Sequence, residues 1–298
     1  MIGPYASSRR RRFSGLDLCL LALLTGVTAW FAVRLLSGEA YRWNWAVIGR
    51  YLVRYDASAG RWRANVLLNG LFTTIRLSIW SGLLASVIGL VMGVAATSKR
   101  LFAQLLTRSY VEFARNTPPL VLVFLFYYFL GDQIVAVLGL ERWLQTLGPL
   151  QRQLTTIFMA PPRQLPAFLS AVVTLALFEG AYLTEIVRAG VQSVARGQWE
   201  AAYALGLSRF DRYRFVILPQ AWRVVLPATV GQFISIIKDS AIVAVISIPE
   251  LTFQGLEVMA ATYRTFEIWI TIAAFYFVLS SVCSWLARIL EQRIRLAQ

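Results

Sequence analysis

The stretch LSIWSGLLASVIGLVMGVAA, Leu77 to Ala96, runs for 20 residues without a charge. As a helix rising about 1.5 Å per residue it would be about 30 Å long, the thickness of the hydrocarbon core of a bilayer. Lipid offers no partner to backbone N–H and C=O groups, so a run of this length is expected to close its hydrogen bonds within itself, as a helix. Runs of this kind recur near 16–36, 66–96, 110–130, 167–188, 225–247 and 266–288. The composition agrees: 58% of residues are hydrophobic and 15% charged, where soluble domains carry about 25%. The expected fold class is all-α, a polytopic membrane protein with about six transmembrane helices. Within the opening run Gly82, Ser86, Gly89 and Gly93 recur three or four residues apart. They form a stripe that admits a neighbouring backbone, within the chain or between subunits.

The formal net charge of +14 does not point to nucleic acid, because the arginines punctuate apolar runs instead of covering a soluble face. They read as membrane-flanking charge. An even number of spans puts both termini on one side. About sixteen Lys and Arg residues fall on the side of Arg9–Arg12, Lys99, Arg100, Arg108, the segment around Glu200 and Arg288–Arg295, against about nine on the other. The positive-inside rule therefore places both termini and the Glu200 segment in the cytoplasm. Arg9–Arg12 ahead of an apolar stretch, with SGEA at 37–40, has some features of an export signal; an uncleaved first span is the expectation.

Of the outer loops, 37–65 contains YRWNWAVIGRYLVRYD, and an interfacial helix is expected there, with Trp43, Trp45 and Trp62 at headgroup level. The loop 131–166 opens with GDQ and closes with APPRQLP, too rich in proline for a spanning helix. No histidine occurs anywhere, which excludes imidazole bases and Ser-His-Asp catalysis. Cys19 and Cys283 lie in apolar runs near opposite ends, and neither a disulfide nor a metal site is expected. There is no GxxxxGK[ST] phosphate loop and no internal repeat.

Ionisable groups at membrane depth cost roughly 2.5–3.5 kcal/mol each. Arg76, Glu179, Lys238 and Asp239 are of this kind. Glu185 and Arg188, near a span end, can reach water by snorkelling. Lys238 and Asp239 point about 100° apart on a helix, which suits two partners. Glu179 stands beside Gly180, where a missing side chain leaves room for an approaching group. It is either an acceptor for a cationic group of a solute or the ion-pair partner of Arg76 or Lys238.

The segment EAAYALGLSRFDRYRFVILPQ, Glu200 to Gln220, is polar and glycine-punctuated between apolar runs. Residues 198–205 are good helix formers, with Glu200 in the first turn, and Gly206 ends that helix. Ser208 can cap a second helix, with Asp211 as a short-armed capping box. Phe210, Tyr213 and Ile217 would share one face, and Pro219 would close the helix. Two short helices around a glycine suit a docking element for a protein partner.

Glu200-Ala201-Ala202, Gly206, Val216 and Leu218-Pro219 at these spacings resemble the EAA loop of importer permeases of the ATP-binding-cassette superfamily. The wider setting is similar to their polar-amino-acid branch: RNTPPL from Arg115, AYLTEIVRAGV from Ala181, GQWEAA at Gly197, ISIIKDSAIV from Ile234 and IPELT at Ile248 follow in order. The resemblance covers about residues 64–290. It implies a type I importer permease fold at 64–290, with the coupling loop at about 190–224. Ahead of it lie the arginine cluster, extra helix and outer loop of 1–63, and behind it a cytoplasmic tail, 291–298. The implied setting is a bacterial inner membrane.

The implied partners are a second permease, of a different chain, two ATPase subunits, a periplasmic amino-acid-binding protein, membrane lipid and an amino-acid substrate. No cofactor is expected on this chain; ATP and Mg belong to the ATPases, and the chain is not itself an enzyme. Coupling would fall to Glu200, Ala201, Ala202, Gly206, Leu218 and Pro219, and the substrate path to Glu179, Arg76, Lys238, Asp239, Asn116 and Thr117. Asn116 replaces the usual glycine, and Glu179 stands where a small or hydroxyl residue is common. The alternative is an ion-coupled secondary transporter or channel using Glu179, Lys238 and Asp239.

Overall fold

The computed structural model describes residues 15–36, 41–58, 60–131, 133, 137 and 139–296. Arg9–Arg12, the SGEA stretch and Asp132 of GDQ lie outside them. One compact unit ends at Trp45 and a second begins at Ala46. The first contains helix α1, Gly15–Leu36, whose Thr25 and Thr28 hydroxyls donate to the carbonyls of Leu21 and Leu24 at 2.7 and 2.6 Å. Trp43 and Trp45 stack in the same unit, centroids 5.6 Å apart.

The second unit opens with α2, Ala46–Leu52, and an antiparallel hairpin of β1, Val53–Asp56, and β2, Arg61–Ala64. Here the expected interfacial helix shrinks to seven residues, and Trp62 belongs to a strand. The alternation in VRYD and RWRA has period two, and Gly60 supplies a positive φ of 59° in the turn. The helices that follow are α3, Val66–Ala96; α4, Leu101–Asn116; α5, Pro119–Leu125, prolonged by a π-helical turn to Gly131; α6, Leu140–Thr146; and α7, Pro149–Phe158. Next come α8, Leu165–Gln192, and α9, Arg196–Ala204. Helix α10, Arg209–Ile246, is continuous but composite, and α11, Leu251–Thr262, and α12, Thr265–Leu296, complete the chain.

Among the described residues α3, α8, α10 and Thr265–Ile289 of α12 are long and apolar enough to cross a membrane, while Gly15–Phe31 and Pro119–Phe129 are shorter apolar helices. The expected span 110–130 is not one helix. Thr117 adopts φ −96°, ψ 138° ahead of Pro118, because a proline ring disfavours the α conformation in the residue before it. The chain therefore divides into amphipathic α4 and apolar α5. The 225–247 span begins earlier than expected, and its last turns, Ser240–Ile246, tighten to 3-10 geometry.

Helix α8 is the axis of the bundle: 72% of its most apolar stretch is buried, against 11% for α12. Its longest packing partner is α3, and the small-residue stripe makes that contact possible. A Cβ on Gly89 would lie 2.5 Å from Leu183 Cβ and 3.0 Å from the Leu183 carbonyl carbon; one on Gly93 would lie 2.6 Å from Val187 Cβ. Gly82 faces the Phe233 ring of α10 instead. The stripe thus packs within the chain. Around it Leu77, Leu122, Phe168, Leu175, Ile236 and Ile246 form the main apolar core.

Glu250, in IPELT, is a buried N-cap that the sequence reading passed over. Its carboxyl accepts from Thr252 N at 2.9 Å, Phe253 N at 2.8 Å, Tyr276 Oη at 2.8 Å and Thr74 Oγ1 at 3.3 Å, joining α3, α11 and α12. Gly89→Ala is expected to destabilise the fold by about 1–3 kcal/mol, because backbone must yield. Gly231→Ala, whose Cβ meets nothing within 4 Å, should be neutral or mildly stabilising. Thermal unfolding of the two variants in detergent checks the contrast.

Candidate functional site

Two regions concentrate the polar chemistry: the α8–α10 loop and the interior around Glu179. The loop is anchored at its base. Val187 and Val191 of α8 and Ile217, Ala221 and Val225 of α10 form an apolar cluster, with Trp199 and Tyr213 against it. Trp199 meets Tyr213 edge-on at 5.4 Å, and the Tyr213 hydroxyl bonds with Thr97 Oγ1 at 2.8 Å at the end of α3. Arg209 Nη2 donates to Ser98 Oγ at 3.1 Å. Three helices therefore hold the loop.

Within it, α9 ends as its sequence requires. Gly206 adopts a φ of +69°, and its N–H donates to the Tyr203 carbonyl at 2.9 Å. Ser208 Oγ accepts from Asp211 N at 3.2 Å, so the expected cap forms. Ala202 is buried, while Glu200 is exposed and pairs with Arg196 at 2.9 Å. Ala201 is exposed.

Three expectations fail here. The helix begins at Arg196, so Glu200 lies in its second turn and not its first. Phe210 is 68% exposed while Ile217 is fully buried, so they do not share a face; Arg212–Ile217 is a π-helix, and its wider turns shift the phase of a 3.6-residue pattern. Nor does Pro219 close the helix. Leu218 and Pro219 open the α-helical part of α10, because the π turn gives the proline ring the space that a regular i−4 carbonyl would fill.

Tyr203, Leu205, Phe210 and Phe215 are the large apolar residues that the loop leaves exposed. Beside them a cleft of about 490 Å³ is lined by Lys99, Arg196, Trp199, Glu200, Arg209 and Arg212, among others. The outcome is a rigid, basic and aromatic platform.

Glu179 lies on α8 with no exposed surface. Gln232 Nε2 of α10 donates to its Oε2 at 2.6 Å, while Oε1 has no hydrogen-bond partner. The Asp239 carboxyl, seven residues beyond Gln232 on the same helix face, lies within interaction range of the Glu179 carboxyl. Neither Arg76 nor Lys238 pairs with Glu179: among the described residues none of these acids or bases forms an ion pair. The space at Gly180 is also taken, since a Cβ there would meet Ile88 and the Tyr110 hydroxyl at 2.9 Å. Gln232 was missed in the sequence; its i, i+7 relation to Asp239 is the signal that marks it.

The remaining substrate-path candidates lie elsewhere. Arg76 donates to the carbonyls of Phe72 at 3.1 Å and Thr156 at 2.5 Å, and lines a cavity of about 670 Å³ with Asn69, Gln164 and Gln254. Asn116 and Thr117 sit at the α4–α5 break, exposed and half-buried. Arg115, next to them, stacks over the Tyr182 ring at 5.5 Å, and Arg188 pairs with Glu185 at 2.6 Å instead of reaching for water alone. RNTPPL and AYLTEIVRAGV thus meet in space.

Residues 85–296 match the family model for the binding-protein-dependent transport system inner membrane component. The chain belongs to that family. This permease is 34% identical over 244 residues to the glutamine transport system permease protein GlnP of Escherichia coli (strain K12), covering 82% of this chain and all of that one. It is 28% identical to the glutamate/aspartate import permease protein GltJ of the same organism, over 85% of this chain and 96% of that one. A crystal structure of an amino acid ABC transporter with histidines superposes with a TM-score of 0.63 at 32% identity, over 85% of this chain and 100% of that one. The fold is that of a type I importer permease, a multi-pass component of the inner membrane. The ion-coupled alternative has no support in this kinship.

Tyr213→Phe removes the hydroxyl bond that ties the platform to α3, and is expected to lower stability by about 1 kcal/mol and to speed proteolysis between α8 and α10. Arg196→Ala, which breaks an exposed pair, should change stability by less than about 0.5 kcal/mol. Limited proteolysis and thermal unfolding distinguish the two.

Proposed function

We propose that this chain is the permease subunit of an ATP-driven amino-acid importer and that its α8–α10 loop is the cytoplasmic element through which two separate ATPase subunits act. The observation that carries the coupling role is the platform itself: exposed Tyr203, Leu205 and Phe210 on a loop tied to α3, α8 and α10. Glu200, Ala201, Ala202, Gly206, Leu218 and Pro219 shape it. An apolar, basic surface on a rigid base can pass a push from a bound partner into the spans, because α10 runs unbroken from the loop to Asp239. ATP and Mg belong to the ATPases. A second permease chain completes the path, a binding protein delivers solute from outside, and both termini of this chain face the cytoplasm.

Glu179 points to the class of solute. A buried carboxyl with a second carboxyl beside it and no ion-pair partner among the described residues is a place that a cation would complete. An α-ammonium or a basic side chain completes it, whereas a second anion is repelled. Asp239, which is exposed, offers the first contact and Glu179 the second. Amino acids with a basic side chain are accordingly the favoured solutes.

Purification by a tag on this chain is expected to bring down an ATPase and a second permease, and the binding protein should stimulate ATP hydrolysis. A complex without ATPase, with uptake persisting in the absence of ATP, overturns the importer reading. Glu179→Gln is expected to reduce arginine and lysine uptake about tenfold, the loss of one charge-assisted hydrogen bond; undiminished uptake of both sinks the role given to this carboxyl.

A further inference from the structure

The β1–β2 hairpin sorts its side chains by chemistry. Its register pairs Val53 with Ala64, Arg54 with Arg63, Tyr55 with Trp62 and Asp56 with Arg61. Alternation then puts Val53, Tyr55, Trp62 and Ala64 on one face and Arg54, Asp56, Arg61 and Arg63 on the other. On the first face the Tyr55 and Trp62 rings meet edge-on at 5.5 Å, yet Trp62 is 68% and Tyr55 56% exposed. Two large aromatics pack on each other and on no core. On the second face Arg54 stands directly across from Arg63, a like-charge pairing that weakens a hairpin. Asp56 bonds Arg63 at 3.0 Å, while Arg54 and Arg61 are exposed and form no ion pair among the described residues.

The hairpin is fixed at its base. Asn65 N donates to the Leu52 carbonyl at 2.8 Å, Asn65 Nδ2 to that of Arg50 at 2.7 Å, and Asn69 Nδ2 to that of Ala64 at 3.3 Å. Ile48 of α2 belongs to the same apolar cluster as Leu67 of α3. Strand β2 ends at Ala64 and α3 begins at Val66, so only Asn65 separates them, a reach of about 7 Å. With 31 residues, α3 is about 46 Å long, which matches the hydrocarbon core together with both headgroup layers. A helix of that length crossing upright would set its first residue in a headgroup layer, and the hairpin with it.

We propose that the hairpin is a phospholipid-binding element, resting on the leaflet opposite the Lys99–Arg100 turn with Tyr55 and Trp62 inserted below the phosphates and Arg54 and Arg61 bound to phosphodiester oxygens. Tyr and Trp favour this depth because one end of each ring system is apolar and the other hydrogen-bonds. Arg54 and Arg61 gain a counter-charge that no ion pair among the described residues supplies, and anionic lipid strengthens the contact about fivefold per arginine. The element acts on position in the bilayer, so it stands apart from the choice of solute.

The test uses the whole transporter complex in nanodiscs, with Cys19→Ser and Cys283→Ser and a single bimane-labelled cysteine. Label at Val53→Cys, on the aromatic face, is expected to be quenched about threefold more by phosphatidylcholine brominated near its headgroup than by aqueous iodide. Label at Ser58→Cys, in the turn, should show the reverse order. Replacing part of the phosphatidylcholine with phosphatidylglycerol should deepen the quenching at Val53→Cys. Arg54→Glu with Arg61→Glu should abolish that increment, and Arg54→Lys with Arg61→Lys should retain it. Iodide quenching at Val53→Cys equal to that at Ser58→Cys overturns the proposal. So does a label that is indifferent to lipid but shielded by added binding protein, which would make the hairpin a protein-docking surface.

Discussion

Everything in the second unit depends on how closely α3 approaches α8. Lipid is as apolar as leucine, so helices in a bilayer gain little from burying hydrocarbon against one another; dispersion contact and small residues must hold them together. Gly89 and Gly93 let Leu183 and Val187 come within a distance that no Cβ tolerates. Once α8 is enclosed in this way, residues on nearly every side of it are buried, including Glu179, Gly180, Ala181 and Thr184. A carboxyl at that position faces protein instead of lipid, which is the condition under which an acid persists at membrane depth.

Helix α8 carries the enclosure down to the loop, where α10 joins it. Val187 and Val191 continue the α8 face that begins at Leu183, and Ile217, Ala221 and Val225 of α10 close over it; a Cβ on Gly190 would lie 2.3 Å from Val225 Cγ2. Close glycine contact thus recurs at α3–α8 and at α8–α10. The platform and the buried Glu179 carboxyl are two ends of one packed seam, joined by α10, which bears Tyr213 at one end and Gln232 and Asp239 at the other.

Features set by local chemistry were legible in the sequence: the long apolar helices, the glycine stripe, the Ser208 cap and the turn at Gly206 each follow from a few adjacent residues. The division at Thr117 was written there too, in Pro118 and Pro119, but the length of the surrounding apolar run hid it. Period-two alternation in VRYD and RWRA marked the hairpin, although the tryptophans drew attention to an interfacial helix. Side-chain partnerships across the bundle were not legible. Glu179 meets Gln232 because α8 and α10 cross at one particular register, and no spacing along the chain fixes that register. Pro219 misled for a related reason: a proline reports the loss of one donor and the presence of one ring, while a π turn just before it can absorb both.

That π turn bears on how the seam is used. Helix α10 departs from regular geometry at Arg212–Ile217, carries Pro227 in its interior, and tightens to 3-10 turns at Ser240–Ile246 before Ser247 reverses the chain at a φ of 59°. Helix α8 shows no such departure over its 28 residues. The Glu179 carboxyl therefore lies between a regular helix locked to α3 by glycine contacts and an irregular one tied to the loop. Of the two helices that flank Glu179, α10 is the one with non-standard backbone hydrogen bonding. The groups that α10 presents to Glu179 are Gln232 and Asp239, its hydrogen-bond donor and its neighbouring negative charge. The architecture places both of these groups on the one helix that the loop continues into.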